Sequence, residues 1–163
     1  MDGRIQSEAE SLLGLLRERN LTVSAAESCT GGMIGSSITS FPGASANFLG
    51  GAVVYSNEAK ENILGVPRGV LFAYGAVSPQ TARCMSEGAV RVFGSDVAVA
   101  VTGIAGPGGG TAEKPVGLVY ISVSDGVTTV TERSVFGGDR EEVRTATAAK
   151  ALAMLRAFIA ENL

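Results

Sequence analysis

Three groups of polar residues in this sequence have the types and spacing for acyl-transfer chemistry. The first is Ser28, inside Ala25-Ala26-Glu27-Ser28-Cys29-Thr30-Gly31-Gly32. It stands where an apolar run, residues 21–26, gives way to a glycine pair and a helix-like segment. A hydroxyl at a strand-to-helix turn lies near backbone N–H groups that stabilise developing negative charge. The chain contains no histidine, so a base for that hydroxyl must be something other than imidazole. The second group supplies one. Lys60 falls in the first turn of a predicted helix, where the dipole disfavours a cation, and partial burial would lower its pKa further. A neutral lysine can deprotonate a serine, the Ser-Lys variant of triad logic. Tyr55 ends the preceding predicted strand and could relay a proton or fix the amine.

Cys29 is the rival nucleophile, because a thiolate at a helix start has a lowered pKa. Without an imidazole to pair with it, a buried small residue is the favoured role. Glu27 either hydrogen-bonds locally or orients Lys60. The third group is the loop after Thr102, Gly103-Ile104-Ala105-Gly106-Pro107-Gly108-Gly109-Gly110. Successive N–H groups in such a loop can form an anion-binding nest. It is not a Walker A loop, because no Gly-Lys-Ser/Thr follows, and it is not a Rossmann fingerprint after the first strand. Lys114 lies just beyond. Arg140 and Arg144 open the last predicted helix; they either reach an anion or form an exposed face paired with Glu141 and Glu142.

The elements that must position these groups follow from periodicity. Ile5, Ala9, Leu12, Leu13 and Leu16 recur at helical spacing over residues 5–19. Residues 21–26 read as a strand and 31–40 as a helix, stopped by Pro42-Gly43. A strand over 50–55 follows, then a helix to about residue 64 that Ser56 or Asn57 could cap. A short helix is predicted near 68–74. Ser78-Pro79 opens a helix running to about residue 92. Residues 96–101 form an apolar, central strand. The β-branched runs 116–124 and 127–136 flank Asp125-Gly126, a hairpin signal. Asp139 opens a final helix with Val143, Thr147, Ala151, Leu155 and Phe158 on its apolar face. Strands alternating with helices, plus one late hairpin, predict an α/β fold: a mixed sheet with helices on both faces. Ligands of such sheets bind outside the carboxyl ends of the strands, so parallel neighbours would bring all three polar groups to one rim.

Composition sets the outer limits. A chain of 163 residues is expected to be one domain, spanning 1–163. Its 22 glycines, spread through apolar segments, point to tight turns and backbone-lined sites rather than disorder. A net charge of −3 gives no drive toward nucleic acid or an anionic membrane. Two cysteines, Cys29 and Cys84, make no disulfide framework, and the start of the chain does not read as a signal peptide. A cytoplasmic protein is therefore expected. Without histidine a zinc site is not expected, and no cofactor is required.

Taken together, Ala26-Glu27-Ser28-Cys29-Thr30-Gly31-Gly32, Tyr55-Ser56-Asn57-Glu58-Ala59-Lys60, Gly75-Ala76-Val77-Ser78, Thr102-Gly103-Ile104-Ala105-Gly106-Pro107, Lys114-Pro115-Val116-Gly117 and Gly138-Asp139-Arg140 resemble the nicotinamide-nucleotide amidase family, also called the CinA C-terminal domain family. The resemblance covers about residues 5–160. It implies a three-layer α/β/α sandwich with a mixed, mostly parallel central sheet. It implies hydrolysis of nicotinamide mononucleotide to nicotinate mononucleotide and ammonia, in pyridine-nucleotide recycling. The implied catalytic residues are Ser28, Tyr55 and Lys60. Substrate contacts are expected from Glu27, Cys29, Thr30, Gly31, Gly32, Asn57, Thr102, Gly103, Gly106, Lys114 and Arg140. Some relatives carry a further N-terminal domain of molybdopterin-binding type; this chain resembles the stand-alone form. A small-molecule substrate, no nucleic acid and no membrane, and a homo-oligomer such as a dimer are the expected partners. The competing expectation is a nucleotide-binding module without catalysis, linked to competence or DNA repair.

Overall fold

The computed structural model describes residues 2–163, and Met1 lies outside the described residues. Strands β1 (Val23–Glu27), β2 (Phe48–Val53), β3 (Val97–Gly103), β4 (Leu118–Ser124) and β5 (Thr129–Val135) form one sheet in the order β2-β1-β3-β4-β5. β1 pairs in parallel with both β2 and β3, while β3, β4 and β5 form an antiparallel meander. Four strands thus point the same way and β4 alone opposes them, although the pairings divide equally. Helices α1 (Gly3–Arg19), α2 (Met33–Thr39) and α6 (Arg140–Asn162) cover one face. Helices α3 (Asn57–Leu64), α4 (Arg68–Tyr74) and α5 (Pro79–Phe93) cover the other. This is the expected three-layer sandwich.

The two faces differ in residue size. Val23, Val97, Val99 and Val101 face α1 and α6, where Leu12, Leu16, Leu152 and Leu155 fill the larger gap. The alternate positions Ser24, Ala26, Ala98 and Ala100 are small and face α5. Small residues let α5 lie close to the sheet, with Ser86 and Ala89 on its inner side, while Gly88 lets Leu64 at the end of α3 approach. β1 and β3 are buried on both faces, so their sequences are continuous rather than alternating.

Several boundaries moved for local reasons. β1 extends to Glu27, whose backbone pairs with Val53 and Val101. α2 starts at Met33 because Gly31 and Gly32 both take positive φ, +59° and +106°, which ends the strand in a turn rather than a helix. The hairpin turn spans 125–128, held by the Asp125 carboxylate accepting from the N–H groups of Val127 and Thr128. The expected caps are present: Ser56, Ser78 and Asp139 each accept a hydrogen bond from the first turn of their helices, and Asp139 with Glu142 completes a capping box.

Candidate active site

The parallel pairings bring the carboxyl ends of β1, β2 and β3 to one rim. Glu27 is level with Val53 and with Val101, so Ser28, Tyr55 and the loop after Gly103 emerge side by side. At the centre lies Lys60, the fourth residue of α3, only 1% exposed. Its Nζ donates to Ser28 Oγ at 3.2 Å, to the Val54 carbonyl at 2.9 Å and to the Tyr55 carbonyl at 3.3 Å. All three partners are neutral. No carboxylate is among them; burial outweighs the opposing influence of Cys29 and holds the Lys60 pKa below its ordinary 10.5. Ser28 is 7% exposed, and its N–H donates to the Val101 carbonyl, fixing it to the end of β3.

The turn from Ser28 to Gly32 is built from both sides. The Gly31 N–H returns to the Ser28 carbonyl at 3.1 Å, and Met33 N–H donates to the Thr30 carbonyl at 3.1 Å. Among the described residues, the N–H of Cys29 donates to its own sulfur, while the N–H groups of Thr30 and Gly32 meet no protein acceptor. These are the free donors next to Ser28. The amino end of α2 is not free. The Glu27 carboxylate accepts from the N–H groups of Ile34 and Gly35, at 2.9 and 3.0 Å, and from the Thr30 hydroxyl at 2.6 Å. Of the two roles open to Glu27, the structure gives it the local one: it caps α2 and does not touch Lys60.

That commitment corrects part of the expected substrate shell. The side chains of Glu27 and Thr30 are buried against one another, so only backbone groups of this segment are left for a ligand. Cys29 is also buried, and its thiol pKa is pushed up to about 11, chiefly by desolvation. Its thiol is therefore protonated at neutral pH. The Thr102 hydroxyl is spent on the Ala76 carbonyl at 2.8 Å. Gly103 closes the ladder opposite Val119, and a Cβ there would strike that residue, which accounts for the glycine without a ligand. Lys114 Nζ donates to the Tyr74 carbonyl at 2.7 Å, tying the glycine loop to the end of α4. Gly108, Gly109 and Gly110 are exposed, and their N–H groups meet no protein acceptor among the described residues. Asn57, the first residue of α3, is exposed on the same rim.

Tyr55 differs from its expectation. It lies two residues past β2 and touches the Lys60 amine through its carbonyl rather than its phenol. The phenol is largely exposed and accepts from Arg140 Nη2 at 3.1 Å. Arg140 also donates through Nη1 to the Gly106 carbonyl at 2.9 Å, so it bridges the glycine loop and Tyr55. A cation at the first position of a helix opposes the dipole; these tertiary contacts account for it. Arg144, one turn further along α6, pairs with Glu141 and donates to the carbonyls of Cys29 and Thr30, both at 3.1 Å. Its contact with the serine turn was not foreseen. The signal was the spacing of Arg140 and Arg144, four apart on one helix face.

Among the described residues no cluster of acids or cysteines could hold a metal ion, and no helix is long and apolar enough to cross a membrane.

Residues 5–159 match the family described as the CinA C-terminal domain. A CinA-like protein of Citrifermentans bemidjiense is 53% identical over 145 residues, covering 89% of this chain and 35% of that protein. A CinA-like protein of Geobacter sulfurreducens is 52% identical over 142 residues, covering 87% of this chain and 34% of that protein. The chain therefore spans about a third of the length of these curated relatives. Among solved structures, the competence/damage inducible protein CihA of Agrobacterium tumefaciens superposes with a TM-score of 0.94 at 44% identity, covering 96% of each chain. A CinA superfamily protein of Klebsiella pneumoniae gives 0.93 at 32% identity, covering 96% of this chain and 98% of that one.

Proposed function

The chain belongs to the CinA C-terminal domain family, and we propose that it is a serine amidase that hydrolyses nicotinamide mononucleotide to nicotinate mononucleotide and ammonia. The observation that carries this reading is the buried Lys60 amine, 3.2 Å from Ser28 Oγ with no anion beside it. Two of its positions face the carbonyls of Val54 and Tyr55, which can only accept. The third faces Ser28. In the neutral amine that position is the lone pair.

Ser28 Oγ attacks the carboxamide carbon while Lys60 Nζ takes its proton. The carbonyl electrons move onto oxygen, and the free N–H groups of Thr30 and Gly32 are the donors for that oxyanion. Losing one such donor typically costs about 10²–10³ in rate. The Lys60 ammonium protonates the leaving nitrogen, the C–N bond breaks, and ammonia departs from an acyl-enzyme. Water, deprotonated by the same amine, then cleaves the ester and frees Ser28. The N–H groups of the exposed Gly108–Gly110 run and the Arg140 guanidinium suit the nucleotide phosphate. The Tyr55 phenol, beside Arg140, belongs to this binding rim rather than to the proton path.

The test is ammonia release from nicotinamide mononucleotide. Ser28→Ala is expected to reduce release to background while melting as the unmodified protein does. If the unmodified protein binds the nucleotide without releasing ammonia, and Ser28→Ala binds it equally, the amidase reading gives way to a nucleotide-binding module.

A further inference from the structure

The amidase reading leaves Arg144 without a task, yet its guanidinium is directed at the turn that carries the nucleophile. Nε donates to the Cys29 carbonyl and Nη2 to the Thr30 carbonyl, each at 3.1 Å. The Cys29–Thr30 peptide is trans, so its N–H points opposite to its C=O. Holding the Cys29 carbonyl on one side therefore aims the Thr30 N–H to the other, where no protein acceptor meets it. The second bond pins the next peptide, whose own N–H, that of Gly31, is already turned back to the Ser28 carbonyl.

Two neighbouring features fit this arrangement. Gly31 has φ +59°, and a Cβ at that position would stand 3.3 Å from Arg144 Nη2. The glycine thus leaves the space the guanidinium fills. The capping box of Asp139 and Glu142 fixes the first turn of α6 just before Arg144.

We propose that Arg144 is a positioning residue for the amidase reaction: by gripping the Cys29 and Thr30 carbonyls it sets the orientation of the Thr30 N–H as an oxyanion donor. This rests on the amidase reading of the same turn. It assigns Arg144 no contact with substrate, in contrast to Arg140 on the phosphate side.

The test uses the full chain, unmodified and as Ser28→Ala, Arg144→Ala and Arg144→Lys. Each is followed in two reactions. One is ammonia release from nicotinamide mononucleotide. The other is labelling by an uncharged alkyl fluorophosphonate, in which a Ser28 Oγ–P bond forms, the P–F bond breaks, fluoride leaves and Lys60 takes the serine proton. This reagent needs the oxyanion donors but has no nucleotide to bind. Arg144→Ala is expected to lower kcat about 10- to 100-fold with little change in KM, and to slow labelling by a similar factor. Arg144→Lys keeps a donor on a long stem and recovers part of both rates. Melting curves separate these effects from lost folding, and Arg144→Lys serves if Arg144→Ala does not fold.

A raised KM with unchanged kcat and unchanged labelling makes Arg144 an anion contact and overturns the proposal. Labelling of Arg144→Ala within twofold of the unmodified protein overturns it as well. If the unmodified protein is labelled at Ser28 but releases no ammonia, the substrate assignment fails and slowed labelling of Arg144→Ala still upholds the role of Arg144. If Ser28 is not labelled at all, both fall.

Discussion

Two buried serines, Ser122 on β4 in the antiparallel half and Ser28 just past β1 in the parallel half, keep opposite company. In the antiparallel half, Ser122 lies 2.9 Å from Ser86 and accepts from Thr131 at 3.0 Å, while Thr129 joins Ser124 and Glu87. In the parallel half, Ser28 faces a buried amine whose other partners are carbonyls. Residue type and burial are alike: Ser122 is 0% exposed and Ser28 is 7% exposed. What differs is where a proton can go. A hydroxyl among hydroxyls only exchanges one weak acid for another. A hydroxyl beside a desolvated amine has an acceptor that gains by losing its charge. The amine partner comes from helix α3, in the crossover that follows β2 in the parallel half.

The strongest way to break this contrast is to remove the amine. Lys60→Met is expected to lower kcat for ammonia release about 10²–10⁴-fold, the usual share of a general base, with the fold retained. Steady-state kinetics with a melting curve checks it. The unmodified protein should show kcat/KM rising with pH through the Lys60 pKa, at a midpoint below 10.5, and Lys60→Met should lose that limb. The same shift bears on folding. Between the lowered folded pKa and 10.5 the unfolded chain holds the proton that the folded chain has released, so Lys60's contribution to stability rises with pH across that window.

A smaller effect is expected at the cap behind the nucleophile. Glu27→Gln removes the charge that three donors share and should cost about 2 kcal/mol in a denaturant titration. It should also slow the reaction, since Ser28 follows directly. The smallest effect belongs to the other half: Ser122→Ala should cost about 1 kcal/mol and leave kcat unchanged. A loss of activity in Ser122→Ala comparable to that of Lys60→Met would erase the distinction between the halves.

The elements carrying this contrast were legible because they are written in short-range pattern. The unbroken apolar runs of β1 and β3 signal strands covered on both faces, and Ser56, Ser78 and Asp139 stand where helix caps belong. The meeting of Ser28 with Lys60 was legible one step further on, because parallel strands share a rim. The choices made by side chains were not. Glu27 had two roles open to it, and the winner depended on the free N–H groups of Ile34 and Gly35, which exist only once Gly31 and Gly32 have turned the chain. Tyr55 had two roles open to it, relaying a proton or fixing the amine. Its position two residues past β2 leaves the backbone at Lys60 and sends the ring to Arg140. Arg144 reaches a turn far away in sequence; its spacing from Arg140 marks the helix face it shares but not the carbonyls it meets.

Cys29 adjoins the nucleophile, yet its thiol ionises only near pH 11. At neutral pH about one molecule in 10⁴ carries the thiolate there, the form that oxidants and alkylating agents attack. Burial next to Ser28 thus keeps this sulfur in its thiol form, and oxidation or alkylation at Cys29 is correspondingly slow.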